Sequence, residues 1–312
     1  MLAGKTQRIT LAGNRTASAV DADPFNDAER STVATRLFEG PGPSTPDLDR
    51  PLSVPGYTLI REIGTGGMAS IFLAERHADG QHLVLKILPF KAQENPVPFK
   101  RFMREYNLLR KLCHPHVARV LERGFASDLA YIAMEYFPAG DLKTRIKQSI
   151  DPAAAMYFLR QISLGLEAVH RIDVIHRDLK PANILFRDEQ RLAITDFGIA
   201  KDTNASGDLT SANSLLGTAY YISPELITRQ GLDKRSDLYS LGVILYQMLT
   251  GVLPYRGATP YEVFQAHLET PIPSLPSEIS RYQSLVNTLL AKDPNDRFQS
   301  TAELLDGLDR AA

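Results

Sequence analysis

The chain has 312 residues and balances 35 Lys and Arg against 36 Asp and Glu, for a formal net charge of -1. That balance excludes a global cationic footprint, so no nucleic-acid partner is expected. A hydrophobic fraction of 44% supplies a sizeable core. The single cysteine, Cys113, excludes an intramolecular disulfide and argues against a thiolate zinc cluster, so a reducing, cytoplasmic location is expected.

The first twenty residues carry Lys5, Arg8 and Arg15 with no acid before Asp21 and no apolar run, which makes a poor secretory signal. Residues 40–55, GPGPSTPDLDRPLSVP, are a linker by composition. Residues 1–52 are therefore read as a flexible arm. Its hydroxyls Thr6, Thr10, Thr16, Ser31 and Thr32 lie near basic residues, and a short helix over 28–37 is within its means.

Ordered structure is expected from Tyr57. YTLIREIG and ASIFLAER read as strands around a Gly-rich turn, and HLVLKILPF as a third strand after Asp79-Gly80. A helix is expected from Pro98 to Leu112, then strands around VARVLERGF and LAYIAMEYF. After Gly140 the periodicity turns helical, in DLKTRIKQ and PAAAMYFLRQISLGLEAVHRI, with short strands near Ile184-Leu185 and Leu192–Ile194. The apolar run Leu238–Leu253 is too short to span a bilayer and reads as a buried core helix, so no intrinsic membrane segment is expected. The fold class is α+β: a small strand-rich lobe over 57–134, a connector at 135–141 and a larger helical lobe over 142–308.

Three segments carry chemistry. Gly64-Thr65-Gly66-Gly67-Met68-Ala69-Ser70-Ile71 lies between two strands, where small residues let backbone N–H groups approach phosphates. Lys86 sits inside the apolar strand VLKIL, where its charge needs a partner, and Glu105 on the following helix is the natural one. Residues 176–183 read His-Arg-Asp-Leu-Lys-Pro-Ala-Asn, and residues 196–198 read Asp-Phe-Gly. Phosphoryl transfer needs positioning and charge neutralisation more than covalent help. Asp196 can bridge Mg²⁺ to phosphate oxygens, and Asn183 can offer its carbonyl oxygen to a metal. Asp178 is free to orient an acceptor hydroxyl, and Lys180 can reach the transferred group.

In this order, together with Ser223-Pro-Glu225, DLYSLGVILYQMLTG and Arg297 in DPNDRF, these segments resemble the eukaryotic-type (Hanks-type) serine/threonine protein kinases. The GTGGMAS loop is most similar to the bacterial branch, and the resemblance covers about residues 57–308. It implies a bilobal protein kinase fold using ATP with Mg²⁺, or Mn²⁺ in its place. It assigns catalytic roles to Asp178, Lys180, Lys86 and Glu105, and metal binding to Asn183 and Asp196. Gly64, Gly66, Gly67, Ala69, Ile71, Val84, Lys86, Met134, Glu135, Phe137 and Asn183 would bind the nucleotide, Met134 as gatekeeper and the connector through its backbone. It further implies that Asp237 braces the His-Arg-Asp turn, that Glu225 pairs with Arg297, and that Thr218 contacts Asp178 and Lys180.

The chain departs from the family pattern at Ala69, Val84 and Ser223, none of which removes a group the chemistry requires. Protein substrates with Ser/Thr acceptors are the implied partners. Self-association for trans-autophosphorylation is expected at Thr203, Ser206, Thr210, Ser211 or Ser214, with Arg177 to receive the phosphate. Two other readings stay open: a nucleotide-holding pseudokinase scaffold, and a small-molecule phosphotransferase of the same fold. Cys113-His114-Pro115-His116 is too compact for a tetrahedral metal site and reads as a structural turn.

Overall fold

The computed structural model describes residues 52–65, 69–89, 96–126, 129–197 and 217–311. Residues 1–51 of the arm, Gly66, Gly67, Gly198 and the hydroxyl-rich stretch from Lys201 to Ser214 lie outside the described residues.

Five antiparallel strands form the first layer: β1 (Tyr57–Thr65), β2 (Ser70–Arg76), β3 (His82–Pro89), β4 (Val120–Ala126) and β5 (Leu129–Glu135), in the order β1-β2-β3-β5-β4. The β2–β3 turn is closed by Gly80 in the left-handed region (φ 68°) and braced by Arg76 donating to Asp79. On β3 the two-residue period buries Leu83, Leu85 and Ile87 completely and turns Val84 and Lys86 to the other face. Register extends that second face across the sheet. Gly64 pairs with Ile71, Ile71 with Lys86, and Val84 with Met134.

Helix α1 (Pro96–Leu109) packs on this same face, its Phe102 clustering with Leu88, Ile132 and Met134. The helix stops three residues short of its expected end, in a turn over Arg110 and Lys111. Strand β4 starts three residues later than expected. Val117 and Ala118 pair instead with Ile194 of the larger lobe, Ala118 N–H donating to the Ile194 carbonyl at 2.9 Å.

The larger lobe holds α2 (Leu142–Lys147), α3 (Pro152–His170), the hairpin β6 (Ile184–Phe186) and β7 (Leu192–Ile194), α4 (Pro224–Thr228), α5 (Arg235–Thr250), α6 (Pro260–Glu269), α7 (Gln283–Leu289) and α8 (Thr301–Ala311). Asp141 and Asp151 cap α2 and α3, and Pro152 opens α3 at the position where a missing N–H costs nothing. Helix α5 is buried on every side, as its apolar sequence requires. Glycine permits the tight contacts: a Cβ on Gly242 would stand 2.7 Å from Leu289 Cβ, and one on Gly165 2.4 Å from the His116 carbonyl oxygen. The Cys113–His116 segment is thus a packing turn against α3, with His116 Nδ1 3.0 Å from the Leu192 carbonyl. No described helix is long and apolar enough to cross a membrane.

Candidate active site

The His176–Asn183 segment hangs from one buried carboxylate. Asp237, in the first turn of α5 and 1% exposed, accepts from the backbone N–H of His176 (2.8 Å) and of Arg177 (3.0 Å), and stands 2.8 Å from His170 Nε2. Burial pushes its carboxyl pKa up, but the His170 hydrogen bond and the His176 backbone donor outweigh that and hold it below the ordinary value. The expected bracing contact is therefore formed. The backbone it braces is strained: Arg177 and Asp196 are non-glycine residues at φ 63° and 53°.

His176 joins the two motif segments. Its ring is fully buried, its Nε2 lies 3.0 Å from the Thr195 carbonyl, and its Nδ1 receives the Asp178 N–H at 3.4 Å. Burial lowers its pKa, so the ring is neutral, with the hydrogen on Nε2. It also lies against Phe197, ring centroids 4.7 Å apart. A second tie runs from Thr195 N–H to the Asn183 carbonyl at 2.9 Å. Asp196 and Asn183 are thus held to one another's segments by backbone bonds.

Asp178 is at the centre. Lys180 Nζ lies 3.0 Å from its Oδ2 and 3.4 Å from Thr218 Oγ1. Asn183 donates its amide to the Asp178 carbonyl at 2.8 Å and to Oδ2 at 3.3 Å. The structure thus brings Asp178, Lys180, Asn183 and Thr218 together. Across the cleft, Lys86 Nζ lies 3.9 Å from Asp196 Oδ1. The side chain of Glu105 lies outside those described, and so does its expected pairing with Lys86.

The donor set fits a divalent cation bound with phosphate. Asn183 commits its N–H groups to Asp178, and its oxygen Oδ1 receives no hydrogen bond among the described residues. The Asp196 side chain is 41% exposed, and Lys86 lies within ion-pair range of its carboxylate. One carboxylate and one amide oxygen leave the rest of a hard cation's shell to phosphate oxygens and water.

Two features had no signal in the sequence. Arg187 binds Glu135 at the end of β5, joining residues 52 apart. His267 on α6 bonds Tyr239 on α5, inside the core. Only the fold brings these partners together. The Glu225–Arg297 pair, by contrast, is formed as the motifs imply: two parallel bonds of 2.9 and 2.8 Å, with Ser236 donating to Glu225.

A strand-rich lobe carrying a cleft lysine, set against a helical lobe carrying an aspartate, a lysine and two metal-type ligands, defines a phosphoryl-transfer domain. A family model for the protein kinase domain matches residues 57–306, and the chain belongs to that family. The chain is 35% identical over 263 residues to a probable serine/threonine-protein kinase of Clostridium perfringens, covering 81% of this chain and 38% of the relative. It is 34% identical to serine/threonine-protein kinase PrkC of Bacillus subtilis (80% of this chain, 39% of the relative). It is 33% identical to serine/threonine-protein kinase PknJ of Mycobacterium tuberculosis (80% and 44%). The chain thus spans about two fifths of the length of these curated relatives.

Proposed function

We propose that the chain transfers the γ-phosphoryl group of ATP to serine and threonine hydroxyls of protein acceptors. The observation that supports this reading is the Lys180 bridge between Asp178 and Thr218, which brings a carboxylate, a cation and a hydroxyl together.

In the proposed step the acceptor oxygen bonds to the γ-phosphorus as the bond to the bridging β–γ oxygen breaks, and ADP leaves. The acceptor proton passes to the Asp178 carboxylate late in the transfer. Lys180 neutralises charge on the moving group, and Lys86 holds the α- and β-phosphates, with Glu105 as its partner in this reading. Asn183 and Asp196 would hold Mg²⁺ or Mn²⁺, which supplies charge neutralisation at the phosphates when bound. The adenine would lie against Val84, Ile71 and Met134, with the connector at 135–141 bonding through its backbone and Gly64, Gly66, Gly67 and Ala69 covering the phosphates.

A cytoplasmic setting and self-association for autophosphorylation of the Thr203–Ser214 hydroxyls belong to the same reading. Its test is incubation with Mg-ATP and a generic protein acceptor, followed by phosphoamino-acid analysis. Phosphoserine or phosphothreonine is expected from the wild type and not from Asp178→Asn. Transfer to small metabolites alone would replace it with the small-molecule reading.

A further inference from the structure

A groove of about 470 Å³ lies between α2, the start of α3 and the turn of the β6–β7 hairpin. That volume is in the range that takes a ligand or a short run of peptide side chains. The groove shares no residue with the cluster of Asp178, Lys180 and Thr218. Ser149, at φ 65°, turns the chain from α2 toward α3 and lines it.

Part of the lining is apolar. Phe158, buried with its ring centroid 5.1 Å from that of Phe186, is joined there by the half-buried Ile150 and Ala154. The charged lining residues are Asp141, Asp151 and Glu189 against Arg145. Asp141 Oδ1 accepts from the Thr144 N–H at 2.8 Å, and Asp151 Oδ1 from the Ala153 N–H at 2.8 Å. Each cap uses one oxygen and leaves Oδ2 without a hydrogen bond among the described residues. The Glu189 side chain is 91% exposed.

The cation of the lining is already committed. Arg145 donates from Nη1 to the Glu189 carbonyl at 2.6 Å and from Nη2 to the Asp188 carbonyl at 3.1 Å. Its Nη2 also lies 3.3 Å from the Glu189 carboxylate, and the guanidinium covers the Phe186 ring at 3.8 Å. Helical period keeps the other cations of α2 away. Residues 141, 144, 145 and 148 share the face that lines the groove, and the exposed Lys143 and Lys147 fall on the opposite one. The groove thus combines an apolar wall with an excess of carboxylates. The occupant that complements both is a cationic segment with apolar side chains.

We propose that this groove is a docking site for a segment of the protein acceptor in which lysine or arginine stands beside apolar side chains. The carboxylates attract such a segment and select against acidic ones, and Phe158, Ile150 and Ala154 receive its apolar side chains. Docking there raises the local concentration of the acceptor hydroxyl at Asp178 without changing the transfer step. This inference rests on the protein-acceptor reading above.

The test measures binding to the full chain carrying Asp178→Asn, and turnover by the full chain with Asp178 intact. The probe is a fluorescent synthetic peptide of three arginines followed by two leucines, without hydroxyls, and a copy with glutamate for arginine is the control. The arginine peptide binds, its affinity falls several-fold between about 50 and about 300 mM salt, and the glutamate copy does not bind. Asp151→Asn combined with Glu189→Gln removes two charges while asparagine keeps the α3 cap, and weakens binding about ten-fold. Ala154→Arg, which adds bulk and a cation to the lining, weakens it at least as much. Fusing the peptide to a protein acceptor lowers its KM about ten-fold and leaves kcat and the ATP KM within about two-fold. Both sets of substitutions abolish that advantage and leave turnover of the unfused acceptor unchanged. The proposal is overturned if the peptide does not bind, if the glutamate copy binds as well, or if the folded variants bind and turn over like wild type. Peptide binding that responds to the substitutions, with no protein acceptor phosphorylated by wild type, overturns the protein-acceptor reading instead.

Discussion

Arg187 and Glu135 form a two-bond ion pair where three segments meet. Arg187, one residue past β6, donates from Nε at 2.5 Å and from Nη2 at 3.0 Å to the two carboxylate oxygens of Glu135. The same guanidinium donates to the Pro115 carbonyl and lies over the Phe137 ring at 5.2 Å. Glu135 Oε2 also accepts from the Arg119 N–H at 3.3 Å. The turn after α1, the end of β5 and the large-lobe hairpin therefore share one pair of charges, each about a quarter exposed or less.

Breaking that pair should loosen the connector. Arg187→Gln and Glu135→Gln are each expected to cost about 1–3 kcal/mol, discounted from a fully buried pair for the water that reaches it. Nucleotide affinity should fall several-fold, because the connector backbone loses its support. Denaturant melts of both single variants and the double variant measure this. A coupling energy near zero in the cycle would show that the two residues do not act together.

Asp178→Asn should lower phosphoryl transfer by about 10²–10⁴-fold, the usual contribution of a positioned base. Nucleotide affinity should stay within about three-fold of wild type, because no phosphate contact is assigned to Asp178. Single-turnover transfer and nucleotide titration separate the two effects. A matched loss in both would mean that Asp178 supports the fold of the cleft rather than the chemistry.

Asp196→Asn should remove the Mg²⁺ dependence of nucleotide binding and lower transfer at least about 100-fold. Titrating nucleotide with and without Mg²⁺ is the check. A variant that keeps its full Mg²⁺ response would move the metal to other ligands.

The Glu225–Arg297 pair should give the chain an acid-sensitive stability. Burial raises the Glu225 pKa, but the Arg297 and Ser236 hydrogen bonds more than offset this, and the folded carboxyl titrates below its ordinary value. The stabilisation is fully present above the unfolded value of about 4.3, and is lost as pH falls from there through the folded value. Glu225→Gln leaves a buried guanidinium without its counter-ion, which costs about 3–5 kcal/mol at neutral pH. Its melting temperature should change less than that of wild type between about pH 5 and pH 3. Equal acid sensitivity in the two proteins would place the titrating group elsewhere.

Much of the site was legible because its residues are local in sequence or fixed by period. The His176–Asn183 run puts Asp178, Lys180 and Asn183 within a single turn. Alternation on β3 turns Lys86 and Val84 to one face, opposite Leu85. The strands and helices were legible for the same reason, except where a tertiary partner won: Val117 and Ala118 read as strand β4 but pair with Ile194. Arg187–Glu135 and His267–Tyr239 were not legible. Each joins residues far apart in the chain, and neither an arginine after a short strand nor a histidine in an amphipathic helix signals its partner.

The measurement that bears most directly on the account is transfer from γ-labelled Mg-ATP to a protein acceptor by the full chain and by Asp178→Asn, read by phosphoamino-acid analysis. The account predicts phosphoserine or phosphothreonine from the wild type and a loss of about 10²-fold or more in the variant. Equal labelling by both proteins, or none by the wild type with nucleotide bound, would contradict it.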